Sequence, residues 1–375
     1  MSRSFESWAA ILAERDADVL PFARPEWASA WFDVYGSAHR PLILEVQCSK
    51  RPVAIIPLQV TRYPGSLLQR VEFAGGSAPA WPTWIVDPDH IGAALFNDIV
   101  ASPGWERTAL RAVRLWLDVH RSRWDALRIT CVPAESVTAM AFEEAFAGLS
   151  PRAHRQEKAY IDTAHGWDAF RQTLSPRRRR HLRYEPHALA RAAGGEVALV
   201  RRSGELARSG TEEFLDLIDR RWSLKGKAGL SRRQQDLYRR VASEPALGVT
   251  VYSLVAAGRS VAAQVGFDDG RRYIPWGFAF DPTLERASPA NVLLQYVIKR
   301  CCDDGHAEVD LAALKAVSQW AGRTRERIHF EAISQRIASR ARSRLYAITA
   351  ANLVRLQSSD AVRRVRSEAG RLLVR

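Results

Sequence analysis

Residues 277–305 read GFAFDPTLERASPANVLLQYVIKRCCDDG. Gly277–Phe280 alternates like a strand, and Asp281-Pro282 breaks it. From Ser288 the spacing predicts a helix over 289–302, with Ser288 as N-cap and Pro289 at the first helical position. Backbone N–H groups in a first helical turn lack intrahelical partners, and the helix dipole adds positive charge there. With small Ser288 and Ala290 at its mouth, such a turn admits an anion. It also suits a plain buried helix, so the two readings stand side by side.

Outward from this stretch, the flanking pattern is α/β. GVTVYSLVAAGRSVAAQVGFDDGRRYIPWGFAFDP (248–282) reads as consecutive strands and AEVDLA (307–312) as another. Helices are predicted over 211–226, ending at Gly226, over 237–246, and over 166–194 with breaks at Pro176 and Pro186. In the first half, 6–16 and 24–36 are helical. A hairpin over 41–65 turns at Ser49-Lys50-Arg51, and a strand follows at 66–76. Residues 94–102 read as a helix, 113–133 as helix then strand, 136–149 as a helix and 157–164 as a strand.

Two segments share one layout. Residues 44–76 and 252–282 each run strand, short polar turn with Arg, Val-Ala, apolar strand, Gly turn, and a strand with an aromatic near its end. This points to internal duplication of one unit. The predicted divisions are 1–165, 166–330 and a basic tail 331–375, with Ile333, Ile337, Leu345, Ile348 and Leu356 forming the apolar side of an amphipathic helix.

The chain has 375 residues, 47% of them hydrophobic, which excludes global disorder. Its net charge of +14 favours acidic partners. The four cysteines (48, 131, 301, 302) form no C-x-x-C pair, and no His/Cys cluster has zinc spacing. They read as reduced thiols of a cytoplasmic protein. The N-terminus lacks the apolar core of a signal peptide, and no uncharged apolar run has membrane-span length.

WASAWFDVYG, RPVAIIPL, FRQTLSPRRRRHLRY, DRRWSLKGKAGL, GRSVAAQVGF, WGFAFDP and SPANVLL, in that order, resemble the GNAT-superfamily acyltransferases of the cellulose-biosynthesis type, relatives of the Fem-type aminoacyltransferases. The resemblance implies two tandem GNAT-like halves, each a mixed, mostly antiparallel sheet flanked by helices. It implies direct acyl transfer, without a covalent enzyme intermediate, from an acyl-CoA to an amine or hydroxyl. The donor would lie by Ser288, Ala290, Asn291 and Val292, with no metal. Ala290 stands where the family commonly has Gly.

For the chemistry, no G-x-S-x-G elbow or Cys/His pair offers a covalent nucleophile. Asp310, at the end of a predicted strand, is the candidate base, and the resemblance implies Lys315 in place of the family's Lys; a structural cap is the other reading of Asp310. After Asp310 the family's Gly-rich turn is replaced by Ala312-Ala313 and its acidic residue is missing. Trp222 and Lys225, three apart on a helix, are candidates for the acceptor pocket, and Gln264 and Trp276 for a shared strand face.

The acceptor expected is a small molecule or glycan in cell-envelope, polysaccharide or secondary-metabolite synthesis. Residues 171–191 and 320–375, the latter with thirteen Arg against four acids, suit an acidic acyl carrier protein, the anionic inner face of a membrane, or tRNA. Rival readings are a tRNA-dependent Fem-like transferase and a non-catalytic binding protein on the same fold.

Overall fold

The computed structural model describes residues 2–15, 20–63, 67–76, 94–95, 97–224, 226, 229–311, 320 and 322–358. The chain forms two compact units: Met1–Glu157 together with Glu326–Arg375, and Lys158–Arg325.

The first unit holds α1 (Ser2–Ala13), α2 (Pro25–Tyr35), β1 (His39–Cys48), β2 (Arg51–Tyr63), β3 (Leu68–Phe73), β4 (Val100–Ala101), α3 (Glu106–Val119), β5 (Ala126–Pro133) and α4 (Val137–Phe146). β1, β2 and β3 form an antiparallel meander; β3 pairs parallel with β5, Val71 opposite Leu127. The β1–β2 turn places Ser49 and Lys50 at φ 48° and 67°, the two-residue turn that matches strand twist. One face of the sheet packs on α3 and α4 through residues such as Ile56, Leu110, Phe142 and Phe330.

β6 (Arg152–Asp162) leads into the second unit. Then come α5 (Gly166–Thr173), α6 (Pro176–Ala193), β7 (Val197–Ser203), α7 (Ala207–Leu224), α8 (Arg232–Ala242), β8 (Val249–Ala256), β9 (Arg259–Asp268), β10 (Arg272–Phe280), α9 (Pro289–Asp303) and β11 (Glu308–Asp310). β7 to β10 form an antiparallel meander, and β10 pairs parallel with β11. The β8–β9 turn, Ala257 at φ 47° and Gly258 at φ 74°, repeats the left-handed pair at Ser49-Lys50. The two predicted copies thus share turn type and the order of meander followed by a parallel strand.

The chain returns through β12 (Arg323–Ile333) and α10 (Ile337–Ser358). From Glu326 onward it belongs to the first unit, where Arg327–Ile333 pairs antiparallel with β5. A boundary at 157/158 and a returning strand therefore replace divisions at 165 and 330. The described part of the segment after 331 ends β12 and forms a helix that packs on β3. On α10 the buried positions include Ser339 and Tyr346, whereas Ile337 is 87% exposed and Ile348 59%. Asp125 explains this: its carboxylate accepts from Ser339 Oγ at 2.6 Å and from Arg342 Nη1 at 3.2 Å. Ile333 ends β12 and lies outside the helix.

Two further local expectations change. Residues 94–102 do not make a helix: Val100 and Ala101 pair as β4 with Ile55 and Ala54 of β2. Pro186 does not interrupt α6. A mid-helix proline frees the carbonyl four residues earlier, and Leu182 O is taken instead by Gln295 Nε2 of α9 at 2.9 Å.

Candidate functional site

In the second unit β10 and β11 are paired only at Arg272–Glu308 and Tyr273–Val309. Beyond that, β11 stays with β6: Asp310 pairs with Tyr160, and Leu311 N–H donates to Ala159 O at 2.8 Å. β10 continues on β9 alone, through a bulge between Pro275 and Gly277. The strands therefore part, and the β10 edge past Tyr273 has no strand partner among the described residues. Those of its backbone groups that point away from β9 face the opening, or wedge, between the two strands. Arg272 and Arg325 both ion-pair with Glu308, and the Arg325 guanidinium stacks on Tyr160 at 3.9 Å, securing the closed end.

Asp310 comes at the level where pairing stops, opposite Ile274 by extension of the register. It is 1% exposed. Strand alternation puts Asp310 on the same face as Glu308 and Arg272, the face covered by α7 and α8. Trp276, at the bulge, lies on that face too, its ring 5.3 Å from Phe267 and 4.2 Å from Tyr238 of α8. Gln264 does not. It pairs with Tyr252 and Phe278 in register, which places it on the opposite, α9 side. The bulged residue in β10 reverses the expected sharing of a face by Gln264 and Trp276. Gln264 is buried at 1% exposure and its Oε1 has no hydrogen-bond partner among the described residues.

Sequence reading missed Tyr238. A Cβ added to Gly277 would lie 2.6 Å from both Tyr238 Oη and Phe214 Cζ. Gly277 thus lets the phenol sit on the bulge. Burial raises the Tyr238 pKa well above its ordinary value, so the hydroxyl stays protonated. It makes no hydrogen bond among the described residues and remains available as a donor. A tyrosine in an amphipathic helix carries no local mark of this; the Trp276-Gly277 pair inside a strand was the available signal.

α9 follows β10 after one short turn, so its start comes soon after the C-terminal end of the β10 edge in the chain. Ser288 sits at φ 54°, ψ 47°, in the left-handed region, and its side chain caps no amide. The predicted N-cap bond is therefore absent. Instead the Ser288 carbonyl accepts from Asn291 N–H at 3.0 Å and Val292 N–H at 3.2 Å. The Ala290 N–H and the Ser288 hydroxyl make no hydrogen bond among the described residues, so two donors remain at the positive end of a fifteen-residue helix. Val292 is fully buried and packs inward. Trp222, half-buried, lies at the end of α7, where Arg221 stacks over Phe280 at 4.3 Å. Lys225 and Lys315 lie outside the described residues.

The cysteines do not suit nucleophilic work: burial raises the Cys301 thiol far above its ordinary pKa and moves Cys302 up to about 11. Among the described residues, no group of three or more His, Cys, Asp or Glu is placed to hold a metal.

A buried pair fixes the base of the wedge. His306 Nε2 and Asp268 Oδ1 are 2.8 Å apart, tying the end of β9 to the lead-in of β11. The hydrogen bond to Asp268 raises the His306 pKa against the opposing effect of burial. Burial opposes the Asp268 charge, but the bonds from His306 and from Gly270 N–H hold its pKa below the ordinary value. The raised His306 value gives stability that is complete below pH 6.5 and lost as pH rises through its folded pKa. The lowered Asp268 value gives stability that is complete above pH 3.8 and lost as pH falls through its folded pKa. The expected result is a melting temperature that falls as pH is raised from 6 toward 9. His306→Gln should flatten this slope and cost about 1.5–3 kcal/mol at pH 6. Calorimetric melts across that range check it; an unchanged slope in the variant would refute the assignment.

Residues 176–322 match the family described as acetyltransferase (GNAT) domain. That span lies inside the second unit, which thus carries a GNAT domain whose class supports acyl transfer. No curated protein matches the chain. Among solved structures, FemX aligns at 10% identity and TM-score 0.56, over 87% of this chain and 94% of its own. The C-terminal domain of a putative lysylphosphatidylglycerol synthetase from Agrobacterium fabrum aligns at 11% identity and TM-score 0.54, over 92% and 96%. L-PGS from Bacillus licheniformis aligns at 12% and 0.50, over 88% and 99%. At these identities the likeness is one of fold, and it extends over both units.

Proposed function

We propose that the second unit transfers an acyl group from an acyl-CoA directly to an amine or hydroxyl. The observation that carries this reading is the parting of β10 from β11 inside the matched domain, with the start of α9 soon after β10 in the chain. An extended donor arm with amides can add to the β10 edge past Tyr273 as a further strand does. The Ala290 N–H and Ser288 hydroxyl then meet its diphosphate. These two donors suit a diphosphate.

In this reading Asp310 takes the proton of the acceptor as its nitrogen or oxygen bonds to the thioester carbon. The C–S bond breaks and the sulfur leaves as thiolate, which takes up a proton. The Tyr238 hydroxyl, neutral and on the Asp310 face, is placed to donate to the acceptor or the departing sulfur. Trp276 and Trp222 would bound the acceptor space. Acceptors of cell-envelope, polysaccharide or secondary-metabolite type, an acyl carrier protein as alternative donor, and work in the cytoplasm at the inner membrane face belong to the same proposal. No helix among the described residues is long and apolar enough to cross a membrane.

A charged-tRNA donor is the second reading. Arg177, Arg179, Arg180 and Arg183 of α6 are all exposed, and exposed guanidiniums attract phosphate backbones. Calorimetric titration of the full chain with acetyl-, octanoyl- and palmitoyl-CoA separates the two. Saturable binding of at least one at micromolar Kd is expected. Failure of all three, with salt-sensitive retention of tRNA on a filter, would replace the first reading by the second.

A further inference from the structure

A second cavity lies wholly within the first unit, between α10 and the sheet. It encloses about 370 Å³, within the range of small-ligand sites. Leu68, Leu149, Ile333 and the buried ring of Tyr346 give it apolar walls. Its charges do not balance. The lining residues Arg70 and Glu331 are each paired with a charge behind the wall: Arg70 Nε donates to Glu72 Oε2 at 2.8 Å, and Arg128 to Glu331 at 3.1 Å. At the rim, Arg152, Arg340 and Arg344 are exposed and have no carboxylate partner among the described residues. Ser343 Oγ, also in the lining, is buried without a hydrogen-bond partner among the described residues. The roof is held open, since Ser339 and Arg342 anchor α10 to Asp125 and Tyr346 is 5% exposed.

We propose that this cavity binds a small amphiphilic anion, its phosphate or carboxylate head held by Arg340, Arg344 and Arg152 with the Ser343 hydroxyl, and its short apolar body laid against Leu68, Leu149 and Ile333. Guanidiniums pair bidentately with such heads. An orphaned buried hydroxyl is a cost that a ligand oxygen removes. Beneath the cavity, burial and the nearby Arg70 push the Arg128 pKa down to about 10. The site owes nothing to the wedge of the second unit.

Octyl phosphate is the probe, titrated calorimetrically into the full chain beside uncharged octanol and, in a separate arm, against saturating coenzyme A. One octyl phosphate per chain is expected, at least tenfold tighter than octanol and undisturbed by coenzyme A. Arg340→Gln with Arg344→Gln should weaken it at least tenfold. Ala347→Trp, which fills the cavity from the helix side, should abolish it. Both variants should melt as the parent does, because residues 340 and 344 are exposed and 347 is half-buried. Displacement by coenzyme A, equal binding of octanol, absence of binding to the parent, or parent-like binding by both variants would each overturn the proposal. A chain titrated with butyrate and octanoate then distinguishes a carboxylate from a phosphate preference.

Discussion

Replacing Asp310 by Asn is expected to lower kcat by about 10²- to 10⁴-fold while leaving the KM for acyl-CoA nearly unchanged. The split follows from position. Asp310 ends β11 at the level where β10 departs, whereas the donor contacts proposed at Ser288 and Ala290 belong to the start of α9, beyond the end of β10. Asparagine keeps the shape and loses the proton acceptor. Release of free coenzyme A thiol, followed with a panel of small amines and alcohols, reads kcat; calorimetry reads donor binding. Asp310 is 1% exposed, so a purely structural role predicts something different. In that case the variant melts lower by the cost of a lost buried charge partner, and its surviving folded fraction turns over normally. A normal kcat in folded D310N would make Asp310 a cap and return the search for a base to the α8 face around Tyr238.

What the sequence made legible was local. Both hairpins announced themselves by alternation and by short polar turns, and both turns proved to have the left-handed pair that strand twist requires. The helix at 289 was equally plain. The return of β12 to β5 was not, because pairing between residues about two hundred apart leaves no mark in either strand's own pattern. α10 misled for a physical reason. Its inward positions 339, 342, 343 and 346 are Ser, Arg, Ser and Tyr, and Asp125 holds the first two, so the apolar residues at 337 and 348 lie outside.

The site divides in the same way. Asp310 was visible as a carboxylate at a strand end. The assignment of Gln264 to the face of Trp276 failed because one extra residue at a bulge inverts alternation beyond it, and register is a property of two strands. Tyr238 escaped because only the Gly277 gap, seen in three dimensions, shows where its hydroxyl goes.

Ala290→Glu should abolish acyl-CoA binding, by 100-fold or more in Kd, without weakening the fold. These two effects have opposite signs for one reason. Ala290 is in the first turn of α9, and its N–H has no acceptor among the described residues. A negative side chain in that turn gains from the helix dipole, by about 0.3–1 kcal/mol. The same charge occupies the place of the donor diphosphate and repels it, and a loss of 100-fold corresponds to about 2.7 kcal/mol. A melting temperature equal to or above the parent's, combined with lost binding, therefore identifies this turn as the anion site. Ala290→Gly supplies the converse. It removes the methyl that narrows approach to the backbone, and so should tighten or preserve binding while costing the helix up to about 1 kcal/mol. If Glu at 290 left acyl-CoA binding intact, the diphosphate would have to lie elsewhere along the β10 edge. The left-handed Ser288 with its uncapped hydroxyl would then be a feature of the chain turn into α9 alone.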